Sequence, residues 1–554
     1  MRRQLPQHRL AMYRWFISAT LALAFIALVA PGLGVRVVPT QDGPIHLAQA
    51  DIIARSGWYG PLEGTVGDVY VWNRRLDPNL LVYVVLAMLI RWTGDPFVGH
   101  QVFVGLYACL FFSVALLAAR SEALRSTTAD QPDGPWLVPF LALLVLPFSL
   151  FFHWGFFNYM LGVPTFLLFA VWWRRPGAKS FWRLLVAAAL GLVAALAHIT
   201  AFLAVALLLA AHALNSAAWA IRSTGVRPSR TIAIEGAMAL FAALPGLVIV
   251  LMFVLGSETG GTRFAFAPWP ALRMLVFGNF LPSFDQLDVV VLLPGALAVC
   301  LAAIHVLRNR EPGRQRPKDW TWAIFLASVL AVTSMNPVSG QGVALGDRLA
   351  IYGFVAAVFA IIPYLQGKRL EILLAGLIVL VLVGQSFSRF RVYRFWAPVY
   401  EAAIAAGAQR PGTSFAGSGL VERGDDTYTR RVRVGFQVEQ IAAIAAGGAA
   451  VTSALPSVKY GYFPLRYRFE NDFFRTMPRW SWALKYPEEP FKAYRAKHDG
   501  MPRVLIATGS AEHARALAAR LGLPSCYFEH SGSVGLLACE ESTSVFHDPN
   551  GSPP

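Results

Sequence analysis

LLVYVVLAMLIRW, residues 80–92, is apolar for thirteen residues and then stops. At the ~1.5 Å rise per helical residue it reaches about 20 Å, short of the ~30 Å hydrocarbon core of a bilayer. Whether it crosses decides every later loop, because each crossing reverses the side on which the next loop lies. If it stays at the surface, RSEALR (120–125), WRRPGAKSFWR (173–183), IRSTGVRPSR (221–230), RNREPGRQRPK (308–318) and GKR (367–369) all share a side with the basic N-terminus. That is the asymmetry of membrane insertion, which keeps Lys and Arg in the cytoplasm. If it crosses, every one of these clusters flips outward while the N-terminus stays in. The charges therefore predict an interfacial helix at 80–92.

Further apolar runs of spanning length lie near 14–30, 97–119, 136–152, 157–173, 231–256, 287–307, 320–335, 345–365 and 371–388. The stretch from Phe181 to Arg222 is too long for one span at about 20 residues each and reads as two, turning near His198. The total is eleven spans, with the N-terminus in and the C-terminus out. Composition agrees: 56% of the 554 residues are hydrophobic and 14% charged, which excludes an ordinary soluble protein. The formal charge of +16 sits in short loop clusters, the orientation pattern and not a nucleic-acid surface, so no nucleic-acid partner is expected. Arg2, Arg3, Arg9 and Arg14 precede an apolar run that no small-x-small cleavage site closes, and the run reads as an uncleaved anchor.

From about residue 390 the chain turns polar. RVLIATG (503–509), SAEHARALAARLG (510–522), SCYFEHSG (525–532) and SVGLLACEE (533–541) read as strand, helix and hairpin. The expected fold is an all-α polytopic membrane bundle of about eleven helices over residues 1–390, followed by a small α/β extracytoplasmic domain over 391–554. Residues 31–96 form the first outer loop. Cys109 and Cys300 lie in apolar runs, and no cysteine spacing suits a metal. Cys526 and Cys539 are expected to bridge the hairpin if a loop of about four residues sets them opposite each other, to be offset by a two-residue loop, and otherwise to stay as unpaired thiols.

This topology gathers four segments on the outer side: 31–96, FFHWGFFNY (151–159), 257–286 and MNPVSGQGVALGDR (335–348). In the first, QDGPIHLAQADII (41–53) begins a helix at Pro44 and places Asp42 and His46 one turn apart. Asp42 has an ordinary role open to it, capping that helix. It has a chemical role too, since burial against apolar surface raises a carboxylate's pKa and suits it to act as a base toward a hydroxyl. His198, in AALAHITAF (194–202), interrupts the longest apolar run, and its alternatives are an ionisable functional group or a neutral imidazole bonded to a neighbouring helix. His153 and Asn158 flank an outer turn whose aromatics also fit an interfacial belt. Arg348 stands at the outer end of a span, against the positive-inside trend, with the fork geometry that grips phosphate; Asp347 beside it is a ready ion-pair partner. Arg74, Arg75 and Asp77 in WNRRLDPNLL read as solvated loop charges.

These segments resemble the GT-C superfamily of membrane glycosyltransferases. Members carry an essential acid soon after the first span, juxtamembrane helices, and an NPLL-like or PPLYY-like segment leading into the second span. The matching stretches here are TQDGPIHLAQA (40–50), with Asp42, and LDPNLLVYVVLAMLIRWTGDP (76–96). GFFNYMLGVPTFLLFAVWW (155–173) and NPVSGQGVALGDRL (336–349) resemble bacterial members whose first loop reads DGP-x-HL, and the likeness runs from about residue 10 to 390. It implies an inverting transferase on the outer face of the cytoplasmic membrane, with a polyprenyl-phosphate sugar as donor and a glycan, lipid or protein as acceptor. Asp42 would be the base, His46 its helper, and Arg348 with His198 the phosphate grip, with Asn158 and His153 as further substrate contacts. Many members carry an adjacent acidic pair where this chain has a single acid, so no cofactor is firmly implied and a divalent metal is left open. The rival classes are a polytopic transporter or lipid flippase and a non-catalytic envelope assembly factor. Against the first stand the absence of repeated halves and the clustering of ionisable residues away from the midplane.

Overall fold

A computed structural model describes residues 7–74, 78–126, 135–177, 179–224, 228–256, 264–266, 268–269, 273, 275, 278–284, 286–308, 319–337, 345–365, 367–417, 432, 437–450, 464–467, 504–508, 526–531 and 534–539. The chain divides into two compact units. Residues 1–38, 75–394 and 428–432 form the first, and 39–74, 395–427 and 433–554 the second.

The first unit is a helical bundle. Among the described residues seven helices are long and apolar enough to cross a membrane: Ala11–Leu33, Pro96–Arg125, Ile199–Ile221, Ile232–Leu255, Leu287–Arg308, Asp347–Tyr364 and Lys368–Ala408. The chain is an integral membrane protein. Residues 81–93 form a thirteen-residue helix, α4, closed by Gly94 in the left-handed conformation, whose N–H donates to the Ile90 carbonyl at 2.8 Å. Phe157–Trp173 (α8), Phe181–Ala197 (α9) and Thr321–Ser334 are apolar but shorter than the seven.

Residues 136–152 depart from expectation. In place of one span they form a seven-residue helix, Leu137–Leu143, a series of turns, and the single-turn helix Leu150–His153. Pro147 is the cause: it has no N–H to give and it disfavours helix at the residue before it. The backbone answers with tighter bonds, Leu146 N–H to Leu143 and Ser149 N–H to Leu146, and Leu150 N–H donates to Phe280 at 2.9 Å. Hydropathy averages over such a break; among the described residues, seven of the eleven expected spans coincide with helices long and apolar enough to cross.

A second proline leaves a debt that a distant side chain meets. In the first helix, Gln7–Leu33 (α1), Pro31 cannot donate to the carbonyl of Ala27 four residues back. Arg389 Nη2 donates to that carbonyl at 2.8 Å, and Nη1 reaches Leu28 O at 3.5 Å. The guanidinium is buried and also lies over Phe148, 4.6 Å from the ring centre.

The bundle has two chemically distinct ends. At one, Arg174 forks onto both oxygens of Glu122 at 2.9 Å and donates to Asp319 at 2.9 Å, while Trp322 Nε1 donates to Glu122. Lys179 pairs with Glu235 nearby in the chain order of the same loops. Residues from RSEALR, WRRPGAKSFWR and the segment preceding residue 320 therefore meet. Expected outer segments meet elsewhere, where His153 contacts Ser283 and Arg348 contacts His198.

In the second unit, the helix Gly43–Ser56 (α2) is buried along Gly43–Ala54. It packs beside Val438–Ala446, and Arg55, paired with Asp51, donates to the Gly447 carbonyl at 3.1 Å. A short antiparallel pair joins Tyr70–Trp72 (β1) to Leu465–Tyr467. Five strands form a mixed sheet. Ser414–Gly417 lies parallel to both Ala449–Ala450 and Val504–Thr508, and the last of these continues antiparallel into the hairpin Cys526–Ser531 and Val534–Cys539. The helix Val438–Ala446 occupies the crossover that the first parallel pair requires. Residues 39–74 of the expected first outer loop thus share a unit with the α/β region. The expected helix SAEHARALAARLG lies outside the described residues.

The hairpin corrects one expectation. Its strands are separated by two residues, and Cys526 nonetheless stands directly opposite Cys539. Adding a pair of loop residues at the expense of the terminal Ser531–Val534 pair leaves the register unchanged, so a two-residue and a four-residue loop give the same partners.

Candidate active site

His198 sits between α9 and Ile199–Thr224 (α10) in an extended conformation, φ −167° and ψ 143°, which ends the first helix and starts the second. Its carbonyl accepts from Ala201 N–H at 3.0 Å. Close approach of α10 to α8 depends on Gly162: a Cβ there would lie 2.6 Å from Ala201 Cβ and 3.8 Å from His198 Cβ. The small residue in FNYMLG thus lets the histidine-bearing turn seat against the helix that begins near Asn158.

The imidazole of His198 is buried and meets Arg348 Nη1 at 3.2 Å through Nε2. A guanidinium only donates, so Nε2 accepts from Arg348, while Nδ1 lies 2.7 Å from Thr200 Oγ1 and accepts from the Thr200 N–H at 3.1 Å. Burial, reinforced by the Arg348 charge, pushes the imidazole pKa well below its ordinary value and keeps the ring neutral. Arg348 also lies 4.4 Å over the ring of Phe156, and Tyr159 donates its hydroxyl to the Arg348 carbonyl. His198 and Phe156 orient this cation. Arg348 and His198, chosen from separate stretches of sequence, are therefore brought together. Thr200, Phe156, Tyr159 and Gly162 were not singled out, although each lies within eight residues of a residue that was.

His153 and Asn158 hold the same turn together. His153 Nδ1–H donates to the Ser149 carbonyl at 3.1 Å, leaving Nε2 to accept from the Tyr393 hydroxyl at 2.9 Å. Burial, with Arg389 adding to it, lowers the imidazole pKa to about 3. Asn158 Oδ1 accepts from Val82 N–H at 3.1 Å and so caps the buried start of α4. These bonds tie the turn to its surroundings.

Asp42 and His46 belong to the second unit. Asp42 precedes α2 at the N-cap position, yet its side chain makes no capping bond; the first turn is held instead by Ile45 N–H donating to the Asp42 carbonyl at 3.2 Å. Pro44 removes one N–H that a cap would otherwise serve. Both side chains are buried, Asp42 at 9% exposure and His46 at 6%. Among the described residues no three of His, Cys, Asp and Glu assemble as a metal-ligand set. Asp42 and His46 alone do not make one.

No protein-family model matches the chain, and no curated protein does. Solved structures do. The chain is similar to ArnT from Cupriavidus metallidurans in the apo state, with 13% identity, a TM-score of 0.50, and coverage of 96% of this chain and 98% of that one. It is also similar to the Archaeoglobus fulgidus oligosaccharyltransferase complexed with Zn and sulfate, at 10% identity and a TM-score of 0.44, covering 94% of this chain and 73% of that one. A third likeness is to AglB of the same archaeon, in complex with an inhibitory peptide and a dolichol-phosphate, at 10% identity and a TM-score of 0.41, covering 97% and 75%. The end-to-end likeness shows that the chain shares the fold of ArnT.

Proposed function

We propose that the chain is an inverting glycosyltransferase of the cytoplasmic membrane that moves a sugar from a polyprenyl-phosphate carrier to a hydroxyl of an envelope glycan, lipid or protein on the outer face. Asp42 takes the acceptor proton as the hydroxyl attacks the anomeric carbon, and His46, one turn along α2, orients the acid. The carbon–phosphate-oxygen bond breaks with the electron pair going to the lipid phosphate. Arg348 binds that phosphate as its negative charge grows, and His198 fixes the direction of the guanidinium. The observation that carries the reading is the contact of Arg348 Nη1 with His198 Nε2 at 3.2 Å, which aims the guanidinium; a cation held at the departing phosphate lowers the barrier to its departure. Asn158 and His153 are further substrate contacts in this scheme.

The test uses the full-length protein in native lipid, a panel of radiolabelled polyprenyl-phosphate hexoses and pentoses, and an envelope fraction from a deletion strain as acceptor. Label is expected to pass to the envelope with wild-type protein. Asp42→Asn, which preserves size, should abolish transfer with membrane levels intact. Near-normal turnover by that variant would remove Asp42 from the role of base.

A further inference from the structure

We infer that Gln49 is a sugar-positioning residue that grips two neighbouring hydroxyls of the substrate through its side-chain amide. The inference rests on the transferase reading above and extends it to a residue that reading does not use.

Gln49 follows Asp42 and His46 on α2 at the spacing i, i+4, i+7, which sets the three on one helix face. It is 2% exposed, and neither Oε1 nor Nε2 has a hydrogen-bond partner among the described residues. Among the described residues it is the one amide with both polar atoms in that condition. Thr40 Oγ1, two residues before Asp42, is likewise buried and unpartnered. Unsatisfied polar groups therefore occur on both sides of Asp42 along the chain.

A buried amide lacking partners lowers stability, and Leu or Met would fill the space without that loss. Such a group is explained when something other than the protein completes its bonds. An amide offers one acceptor and one donor side by side. The complementary group is a pair of vicinal hydroxyls, one donating to Oε1 and the other accepting from Nε2, which is what a sugar ring presents. The pair belongs either to the donor sugar or to an acceptor sugar, and the face it shares with Asp42 suits both.

Gln49→Met keeps the volume and removes both hydrogen-bonding atoms. In the full-length protein, kcat/KM for transfer from a polyprenyl-phosphate sugar is expected to fall on the order of tenfold to a hundredfold, the loss of two hydrogen bonds to substrate. Apparent Tm of the free protein should hold or rise, because no bond within the protein is lost. Gln49→Leu serves as a second variant with the same expectation. Monodeoxy donors, each lacking one ring hydroxyl, separate the two sources. If the donor sugar is gripped, wild type discriminates against one of them and Gln49→Met does not; if an acceptor sugar is gripped, every deoxy donor is affected equally in both proteins and the loss appears in the KM for the envelope acceptor. Transfer within twofold of wild type for all substrates by both variants overturns the inference, as does a fall in Tm that matches the fall in activity, which would mark a structural amide or one holding a buried water. Asp42→Asn run alongside keeps the two proposals apart: a dead Asp42→Asn with a fully active Gln49→Met sinks only the role of Gln49, whereas no transfer by wild type sinks both.

Discussion

Gly162→Ala tests whether the His198–Arg348 pair depends on the close seating of α10 against α8. The added Cβ would stand 2.6 Å from Ala201 Cβ, and ordinary carbon contacts begin near 3.5 Å, so the helices must part by about 1 Å. Overpacking of this kind costs about 1–3 kcal/mol. Replacing a helical Gly by Ala returns about 0.8–1.0 kcal/mol through propensity, which leaves a net loss of roughly 0–2 kcal/mol. The single variant alone is therefore a weak test. Ala201→Gly removes the opposing carbon, and in the double variant the propensity contributions of the two sites cancel, leaving the steric coupling of on the order of 1–3 kcal/mol. Apparent Tm should fall in Gly162→Ala and recover in Gly162→Ala/Ala201→Gly, measured in detergent with added native lipid. Donor KM should rise with the first and return with the second, because a displacement of about 1 Å at a binding group weakens its contribution steeply. A coupling near zero between Gly162→Ala and Ala201→Gly, or failure of Ala201→Gly to restore the donor KM, would refute the account of how His198 is placed.

Further outcomes follow from other contacts. Arg348→Lys should raise the KM for the lipid-linked donor far more than that for the acceptor, since Lys keeps charge but loses the phosphate-gripping fork; equal effects would reduce Arg348 to a structural cation. Arg389→Met should lower thermal stability by about 1–3 kcal/mol through the abandoned Ala27 carbonyl, and Pro31→Ala in the same protein should recover most of it by supplying the missing N–H. An unchanged Tm for Arg389→Met would show the carbonyl needs no partner. A periplasmic-type reporter fused near residue 400 should be active and a cytoplasmic one silent; the reverse would overturn the eleven-crossing topology. In that compartment the opposed Cys526 and Cys539 should be protected from thiol labelling until reductant is added, and labelling without reductant would show free thiols.

Hydropathy made much of the bundle readable, because the residues that face lipid and those that pack together are both apolar. The expected span at 157–173 matches α8, and the turn near His198 falls where an imidazole interrupts the apolar run. The same averaging hid Pro147, whose effect is a local matter of one absent N–H. It also ended the last span near residue 388, whereas the helix continues from Lys368 to Ala408: helix propensity persists through Arg389, Arg391 and Arg394 after hydropathy has fallen. Asp42, His198 and Arg348 were visible as residue types out of place in their surroundings. Gly162 was not, since it acts through a contact with Ala201, tens of positions away. Gln49 was within reach of sequence reasoning through its i+7 spacing from Asp42, but an amide on a helix is unremarkable until its burial and unpaired atoms are known.

The bond from Arg389 to Ala27 has a main-chain acceptor, and this bears on how the sequence can drift. Any codon at position 27 other than one that breaks the helix leaves a carbonyl in place, so the partner cannot be erased by substitution there. The Glu122–Arg174 pair is the opposite case, with both members exposed to loss by a single base change. In a set of homologous sequences, positions 122 and 174 should change in concert, position 27 should vary freely among small apolar residues, and the correlated partner of Arg389 should be Pro31, a residue it is not seen to touch.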